Sequence, residues 1–286
     1  MKVNADLHCH SGASGGVGNL DIEKVAKETM PLKGIHLLGT GDCLHPQWNS
    51  YLKEILIESS DGVFTPTFSS AIKFILQTEL IFTCAVKMGR KSVHIVFLFP
   101  SFETVEKMLV LFKKWDVKNT IGRPFVKCED NADVAKKLYQ INKIDDLIEI
   151  IPAHVMTPQG VFGSDNPIDH LNEFFGDSEE LIYAVETGLS ADPIILGLIP
   201  ELDKRTLISN SDAHSHHLER LGREFTTFNL RELTYSAIIK AIRSNDIIRT
   251  CEFNPSEGRY FLSGHRAGKQ GHGDKFCVFS PTFTPK

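Results

Sequence analysis

The sequence predicts an α/β fold, in which short apolar strands and amphipathic helices alternate around a largely parallel sheet or barrel. The main observation is that apolar runs of strand length recur between amphipathic segments, as repeated β-α units require. A hydrophobic content of 42% and a charged content of 23% are ordinary for a globular protein. The length of 286 residues suffices for one large α/β domain, alone or with a small appendage.

The predicted elements follow the chain in order. Strands are predicted over the apolar runs 2–7, 35–39, 74–85, 93–99, 147–152, 182–186 and 206–209. Helices are predicted over 21–28, 102–115, 132–141, 167–175 and 234–244, with polar caps before the first two. The composition becomes rich in glycine and basic residues after about 245. We therefore predict one domain over 1–245, and over 246–286 a surface extension or the beginning of a second module.

Composition also bears on compartment and partners. The six cysteines are scattered without a CxxC pair, the first residues lack an apolar signal core, and the sequence contains no apolar run of about 20 residues. These features predict a cytoplasmic protein in a reducing compartment, with no membrane partner. The net charge of −5 neither indicates nor excludes nucleic-acid binding, because a local basic face or bound divalent ions can offset it.

Two pairs of polar residues, each at the end of a predicted strand, are the main functional signal. His8 and His10 follow the first strand, and Asp212 and His214 follow the run 206–209. Residues two apart on a strand point to the same side, so each pair can bind one ion. Solvent-facing histidines would explain the first pair equally well in isolation, but a second pair makes a metal centre the better hypothesis. Neutral imidazole suits zinc, manganese and iron.

Four further candidates interrupt apolar runs or follow them. Glu79 and His94 lie inside apolar runs, where a charged group is costly unless it is paired or binds metal. A core histidine and a buried ion pair are the alternatives for these two. His154 and Asp42 lie where a predicted strand gives way to a loop. The eight candidates together predict two or three divalent ions (Zn, Mn or Mg), which can activate water and stabilise a leaving oxygen at a phosphate ester.

Basic residues near the second pair are candidates for substrate binding. Arg220 and Arg223 follow Asp212 closely and could hold phosphates, although a solvated loop explains them equally well. We predict catalytic roles for these two arginines and for Asp212 and His214. The adjacent His216 and His217 are not predicted as ligands. The glycine-rich stretch 11–18 does not match a nucleotide-binding fingerprint and is predicted to be a flexible loop over the site.

These motifs, in this order, resemble the polymerase-and-histidinol-phosphatase (PHP) superfamily over residues 1–245. The resemblance implies a distorted (β/α)7 barrel with a tri-metal site. By that likeness the first ion is held by His8, His10, Glu79 and Asp212, and Glu79 bridges to a second ion held with His94 and His154. Asp42 and His214 serve the third ion. Many such enzymes carry a further histidine where this chain has the glycine-rich run 15–18, which predicts a weaker third site.

Several stretches are similar to endonuclease Q: GTGDCLHPQW (39–48), IPAHVMTP (151–158), AVETGLS (184–190), SNSDAHS (209–215), LGREF (221–225), GRY (258–260) and GHR (264–266). That resemblance implies metal-dependent nicking of DNA on the 5′ side of deaminated bases (hypoxanthine, uracil) or abasic sites, in DNA repair. It also implies damaged DNA as partner and, through a tail absent here, a replication or repair clamp. Such proteins continue into a cysteine-rich zinc module, so a chain ending at Lys286 is either a truncated form or a variant lacking that module.

Two other functions stay open on the residues alone. The same ligands could serve a small-molecule phosphatase acting on histidinol phosphate or a nucleotide, which suits the acidic net charge. A non-catalytic subunit that binds metal and DNA is a third hypothesis.

Overall fold

The computed structural model describes residues 1–14, 20–68, 70–258 and 260–261. The strands in these ranges are β1 (Lys2–Asp6), β2 (Leu37–Gly39), β3 (Leu56–Ser60), β4 (Val63–Pro66), β5 (Lys73–Val86), β6 (Gly89–Phe99), β7 (Phe125–Lys127), β8 (Glu149–Pro152), β9 (Ala184–Glu186), β10 (Thr206–Ile208), β11 (Phe225–Asn229) and β12 (Ile247–Cys251). The α-helices are α1 (Ile22–Lys24), α2 (Met30–Lys33), α3 (Pro46–Ile55), α4 (Phe102–Lys114), α5 (Asn131–Asn142), α6 (Asn172–Phe175), α7 (Pro193–Leu196) and α8 (Tyr235–Arg243). A π-helical turn (Val25–Thr29) joins α1 to α2, and 3-10 turns cover Gly176–Leu181, Pro200–Lys204 and Pro255–Glu257.

The central sheet is mixed, which confirms the α/β class but not a largely parallel arrangement. Its order is β12-β11-β1-β2-β5-β4-β3, with β6 between β5 and β8 and with β7 beside β5. The pairs β1–β2, β2–β5 and β5–β7 are parallel, and the long β5–β6 pair is antiparallel. Only Lys87 and Met88 separate β5 from β6. A parallel crossover needs about a dozen residues or more, so this connection can only be a hairpin.

A closed seven-stranded barrel stays a prediction. The described pairing defines two sheets, the mixed one and a parallel β9–β10 pair. Residues just beyond the strand ends nevertheless connect them: the Val155 N–H donates to the Glu186 carbonyl at 3.1 Å, and the His10 N–H donates to the Ala213 carbonyl at 2.9 Å. The ends of β1, β8, β9 and β10 therefore converge in one place.

The long predicted helices are confirmed because their caps and apolar faces are strong. Side chains of Ser101, Asp130 and Thr234 accept hydrogen bonds from the first turns of α4, α5 and α8. α4 buries Val105, Met108 and Phe112, which lie on one face at helical spacing. The helix predicted over 167–175 is limited to the four residues of α6, and α3 was not predicted.

The chain beyond residue 245 enters the main sheet. β12 pairs antiparallel with β11. Phe225 lies opposite Cys251 at one end of the pairing, and Phe228 lies opposite Ile247 at the other. The predicted boundary at 245 stays a prediction, since most of the extension (262–286) lies outside the described residues. In the part of the chain that is described, no helix combines the length and apolar character needed to cross a membrane. The five described cysteines form no disulfide among themselves.

An ion pair at the start of β8 gives a stability prediction. The fully buried Glu149 accepts a hydrogen bond from Arg243 at 2.7 Å, and burial raises the pKa of Glu149 to about 7 although Arg243 lowers it. Arg243→Met should lower the free energy of unfolding by about 3 kcal/mol at pH 8, because it leaves a buried charge unpaired. Below the raised pKa the carboxyl is neutral, so the loss should shrink as pH falls to about 5.5.

Urea denaturation at both pH values measures this difference. Arg249→Met is the matched control, because Arg249 is an exposed arginine of β12 and its loss should cost less than about 0.5 kcal/mol at either pH. An equal loss for Arg243→Met at pH 5.5 and pH 8 would contradict the proposed cause.

Candidate metal centre

The predicted ligands converge where the strand ends meet. His8 and His10 follow β1, Asp42 follows β2, Glu79 and His94 lie within β5 and β6, His154 follows β8, and Asp212 and His214 follow β10. Six of the eight fall into two groups, each with ligand atoms within 4.8 Å of one another. Group A is defined as His8, His10 and Asp212, and group B is defined as Glu79, His94 and His154.

Glu79 lies between the two groups. Its Oε1 is 2.7 Å from Nδ1 of His94 and 3.3 Å from Nε2 of His154. Its Oε2 is 3.5 Å from Nε2 of His10, and its Oε1 is 3.7 Å from Nε2 of His8. One carboxylate therefore faces the ligand nitrogens of both groups, as a bridging ligand would.

The hydrogen bonding of the buried atoms tests whether the two groups fit divalent cations. Atoms without a hydrogen-bond partner in the described structure include Nε2 of His8, Nε2 of His10, Oε2 of Glu79, Nε2 of His94 and Oδ1 of Asp212. Buried polar atoms are rarely left without a partner. Four of them, on His8, His10, Glu79 and Asp212, lie 3.2–3.6 Å from one another across the site, and imidazole nitrogens with carboxylate oxygens suit divalent cations. The residues present therefore fit the metal centre expected from the sequence.

In group A, a carboxylate lies behind each histidine. Nδ1 of His8 is 3.0 Å from Oε1 of Glu186, and Nδ1 of His10 is 3.3 Å from Oδ1 of Asp42. A carboxylate at Nδ1 fixes the proton there and leaves Nε2 as the ligand atom. Asp42 thus supports His10 from behind.

In group B, the hydroxyl of Thr157 fixes the proton on Nδ1 of His154. The Thr157 hydroxyl donates to the His154 carbonyl at 3.0 Å, and its oxygen lies 2.7 Å from Nδ1 of His154. Because that hydroxyl proton is already used, Nδ1 must be the donor. Nε2 of His154 therefore carries the free lone pair, on the side of Glu79.

Backbone strain is concentrated at these ligands. Asp42, His154 and Asp212 have positive φ angles of 41°, 32° and 45°. Non-glycine residues in this region cost about 1–3 kcal/mol each and persist only where the surroundings impose them. Three ligand candidates thus have conformations that the fold maintains against a local preference.

The charges of the two groups are mutually stabilised. Burial opposes a charged imidazole, but Glu186, with Asp212 and Glu79, outweighs it and raises the pKa of His8 to about 9. Against the same opposition, Asp212 and Asp42 raise the pKa of His10 to about 10. Burial likewise opposes the charged carboxylates, yet His94 lowers the pKa of Glu79 and His10 that of Asp212 well below their usual ranges. The imidazoles and carboxylates of the two groups therefore stabilise each other's charged forms.

The third ion expected on Asp42 and His214 stays a prediction. Oδ2 of Asp42 accepts from the Ser11 backbone at 2.7 Å and from its hydroxyl at 2.6 Å. The ring centroid of His214 is 4.5 Å from that of His10, and its Nδ1 contacts the Asp212 carbonyl at 2.9 Å. These two candidates share no ligand group among the described residues. The side chains of Asp212 and His214 are 31% and 40% exposed, so the centre opens to solvent there.

The arginines have different positions from one another. Arg223 donates from Nε and Nη2 to the Ser211 carbonyl at 3.1 and 3.0 Å, and so supports the loop that carries Asp212. Arg220 is exposed. Their roles toward a substrate stay predictions. His216 and His217 belong to neither ligand group, and residues 15–18 of the glycine-rich stretch lie outside the described residues.

Sequence reasoning missed three supporting residues: Glu186, Thr157 and Gln77. Oε1 of the buried Gln77 accepts from the backbone of Gly41 at 3.1 Å and of Cys9 at 3.3 Å, which joins the loops after β1 and β2. Gln77 and Glu186 are polar residues inside apolar runs, the same signal that identified Glu79. Thr157 had no comparable signal, because a threonine in a loop is ordinary.

Gly188 gives a prediction for group B. Its φ is +69°, and a Cβ there would lie 2.5 Å from the Cβ of His154. Gly188→Ala should therefore lower the free energy of unfolding by about 1–3 kcal/mol and reduce the number of ions bound. Thermal unfolding and elemental analysis measure the two effects.

Gly34→Ala is the matched control, because Gly34 has a similar φ of +66° but no atom within 4 Å of an added Cβ. It should cost stability through backbone strain alone and leave the ion content intact. Equal ion content in both variants would show that His154 is not displaced.

Together, fold and site define an α/β protein with a histidine- and carboxylate-rich centre suited to divalent cations. No family model matches the chain. It is 25% identical over 288 residues to YqxK, an uncharacterized protein of Bacillus subtilis, covering 93% of this chain and 69% of YqxK.

Two solved structures of endonuclease Q are similar in both sequence and fold. The lesion-specific endonuclease PfuEndoQ from Pyrococcus furiosus is 32% identical with a TM-score of 0.78, over 92% of this chain. Endonuclease Q in complex with a 27-mer duplex carrying an abasic lesion at its active site is 30% identical with a TM-score of 0.79, over 96%. The chain spans 62% and 65% of those two proteins. The resemblance to endonuclease Q expected from the sequence is confirmed.

Proposed function

We propose that this chain is a metal-dependent endonuclease that nicks DNA on the 5′ side of a damaged nucleotide, in DNA repair. The observation that carries the proposal is the set of unpartnered ligand atoms in groups A and B, joined by Glu79, in a fold similar to endonuclease Q. An abasic site is the lesion in one of those structures. Hypoxanthine and uracil are the further lesions we propose.

Groups A and B support the first part of the proposed mechanism, the binding of divalent ions. Group A would hold one divalent ion, group B a second, and Glu79 would contact both. When bound, such ions supply Lewis acidity and lower the pKa of a water molecule. Zinc or manganese suits the imidazole nitrogens better than magnesium does.

Proton transfer is assigned to His214. Its Nδ1 is directed to the Asp212 carbonyl at 2.9 Å, so the ring donates there and Nε2 is the nitrogen that can accept a proton. Burial lowers the pKa of His214, which favours the neutral base at pH 7. Asp212, partly exposed beside it, positions this ring while it contributes Oδ1 to group A.

The arginines are proposed to bind phosphate. Arg223 uses Nε and Nη2 for the Ser211 carbonyl, which leaves Nη1 for a phosphate oxygen. Arg220 is exposed and lies three residues before Arg223 in the sequence. A guanidinium can stabilise the charge that develops on a phosphodiester. Binding of a replication or repair clamp stays a prediction from the resemblance.

Nicking of damaged duplexes tests the function. The full chain is incubated with Mn²⁺ or Mg²⁺ and labelled duplexes carrying one abasic site, deoxyinosine or deoxyuridine, beside an undamaged duplex. A metal-dependent nick 5′ of the damage, lost in His8→Ala and Asp212→Ala, is the expected result. Rapid hydrolysis of p-nitrophenyl phosphate without nicking would overturn it in favour of a phosphatase. DNA and metal binding without any hydrolysis would indicate a non-catalytic subunit.

A further inference from the structure

Glu186 is a buried carboxylate at the end of β9 that belongs to neither ligand group. Its Oε1 and Oε2 lie 3.0 and 3.1 Å from Nδ1 of His8. Oε2 also accepts from the His154 backbone N–H at 2.9 Å, and Oε1 accepts from Nδ2 of Asn210 at 2.9 Å. One side chain thus contacts the segments that follow β1, β8 and β10.

Glu186 contacts the His8 ring on the side away from the proposed ligand atom. It contacts Nδ1, whereas Nε2 faces Asp212 at 3.6 Å and Glu79 at 3.7 Å. Accepting the Nδ1 proton selects Nε2 as the ligand atom and makes that nitrogen a better electron donor. This contact concerns group A.

Toward His154, Glu186 acts through the backbone. His154 has φ 32°, and its N–H donates to Oε2 of Glu186. That bond helps to keep the residue in a left-handed conformation which a histidine adopts at a cost. The direction of the His154 side chain, and so the shape of group B, depends on this turn.

Asn210 extends the connection to the loop that carries Asp212. Its Nδ2 donates to Glu186, and its Oδ1 accepts from the Leu7 backbone at 2.7 Å. The ends of β1 and β10, which supply all of group A, are therefore joined through the same carboxylate.

We propose that Glu186 is a positioning residue on which both ion sites depend, because it orients His8 in group A and maintains the turn at His154 in group B. The inference rests on the proposed metal-dependent function. It explains why a carboxylate outside both groups is buried against three hydrogen-bond donors, on His8, His154 and Asn210. All three partners donate, so an amide in place of the carboxylate would set its NH₂ group against at least one of them.

Glu186→Gln tests this with a side chain of the same size. Ion content is measured by elemental analysis, and the affinity of each site by competition with a chelator, for the wild type and the variant after complete metal removal. We expect the affinity at both sites to fall by about 10- to 100-fold. Thermal unfolding of the metal-free proteins is recorded in parallel, because a purely structural role would lower that transition and leave the affinities unchanged.

Glu224→Gln is the matched control. Glu224 is also fully buried and accepts from the Phe253 backbone at 3.2 Å, and burial raises its pKa to about 8. It contacts neither ligand group, so its neutral replacement should bind ions as the wild type does. A weaker affinity at one site alone in Glu186→Gln, or at neither, would overturn the proposal. Failure of the proposed function is separate: the wild type would then bind two ions and still leave damaged DNA intact.

Discussion

Glu79→Gln should reduce nicking of an abasic duplex by about a thousandfold or more and remove at least one bound ion. The carboxylate of Glu79 is fully buried and faces ligand nitrogens of both groups, from 2.7 Å at His94 to 3.7 Å at His8. Glutamine retains the size but loses the charge and one ligand oxygen. Charge stabilisation by bound ions supplies several kcal/mol, and each 1.36 kcal/mol corresponds to about tenfold in rate.

Glu149→Gln is the matched control for this prediction. Glu149 is equally buried, but its partner is Arg243, and it begins β8, whereas His154 follows the other end of that strand. Its replacement should lower the unfolding temperature and leave ion content and the nicking rate of the folded protein within about twofold. If Glu79→Gln kept both ions and a rate within tenfold of the wild type, Glu79 would not be a bridging ligand.

The sequence predicted the site better than the sheet. His8 and His10 share group A, as their spacing after the first apolar run predicted. The predicted pairing of Asp212 with His214 on one ion is not seen among the described residues, because Asp212 joins group A and His214 joins neither group. Glu79 and His94 were visible as polar residues inside apolar runs. Spacing could not show that Asp42 lies behind His10, since that depends on how the loops after β1 and β2 meet around Gln77.

The sheet topology was harder for a physical reason. Apolar runs look alike whether their neighbours are parallel or antiparallel, so β5 and β6 were expected to belong to β-α units. The short connection at Lys87 and Met88 was the available signal for a hairpin. β11 and β12 were missed because they alternate polar and apolar residues weakly, and β12 has no fully buried residue. Their pairing depends on the tertiary structure.

The raised pKa values of the histidines give a second large effect, on metal affinity. The pKa of His8 is raised to about 9 and that of His10 to about 10, so both rings hold a second proton at pH 7. An ion that binds Nε2 must displace these protons. We expect affinity for Zn²⁺ or Mn²⁺ to rise between pH 7 and pH 9, by about tenfold per pH unit for each proton displaced, and to level off near pH 10.

Chelator competition on the metal-free protein at pH 7, 8 and 9 measures this rise, with the chelator calibrated at each pH. Calorimetry in two buffers of different ionisation enthalpy counts the protons released. The same raised pKa values predict that the free energy of unfolding of the metal-free protein falls as pH rises. Histidines with raised pKa values contribute stability that is complete below about 6.5 and is lost as pH rises through 9 to 10. The metal-free protein should therefore lose stability from pH 7 to 10 while the metal-bound protein does not. An affinity that is the same at pH 7 and pH 9 would mean that the imidazoles are already neutral before an ion binds.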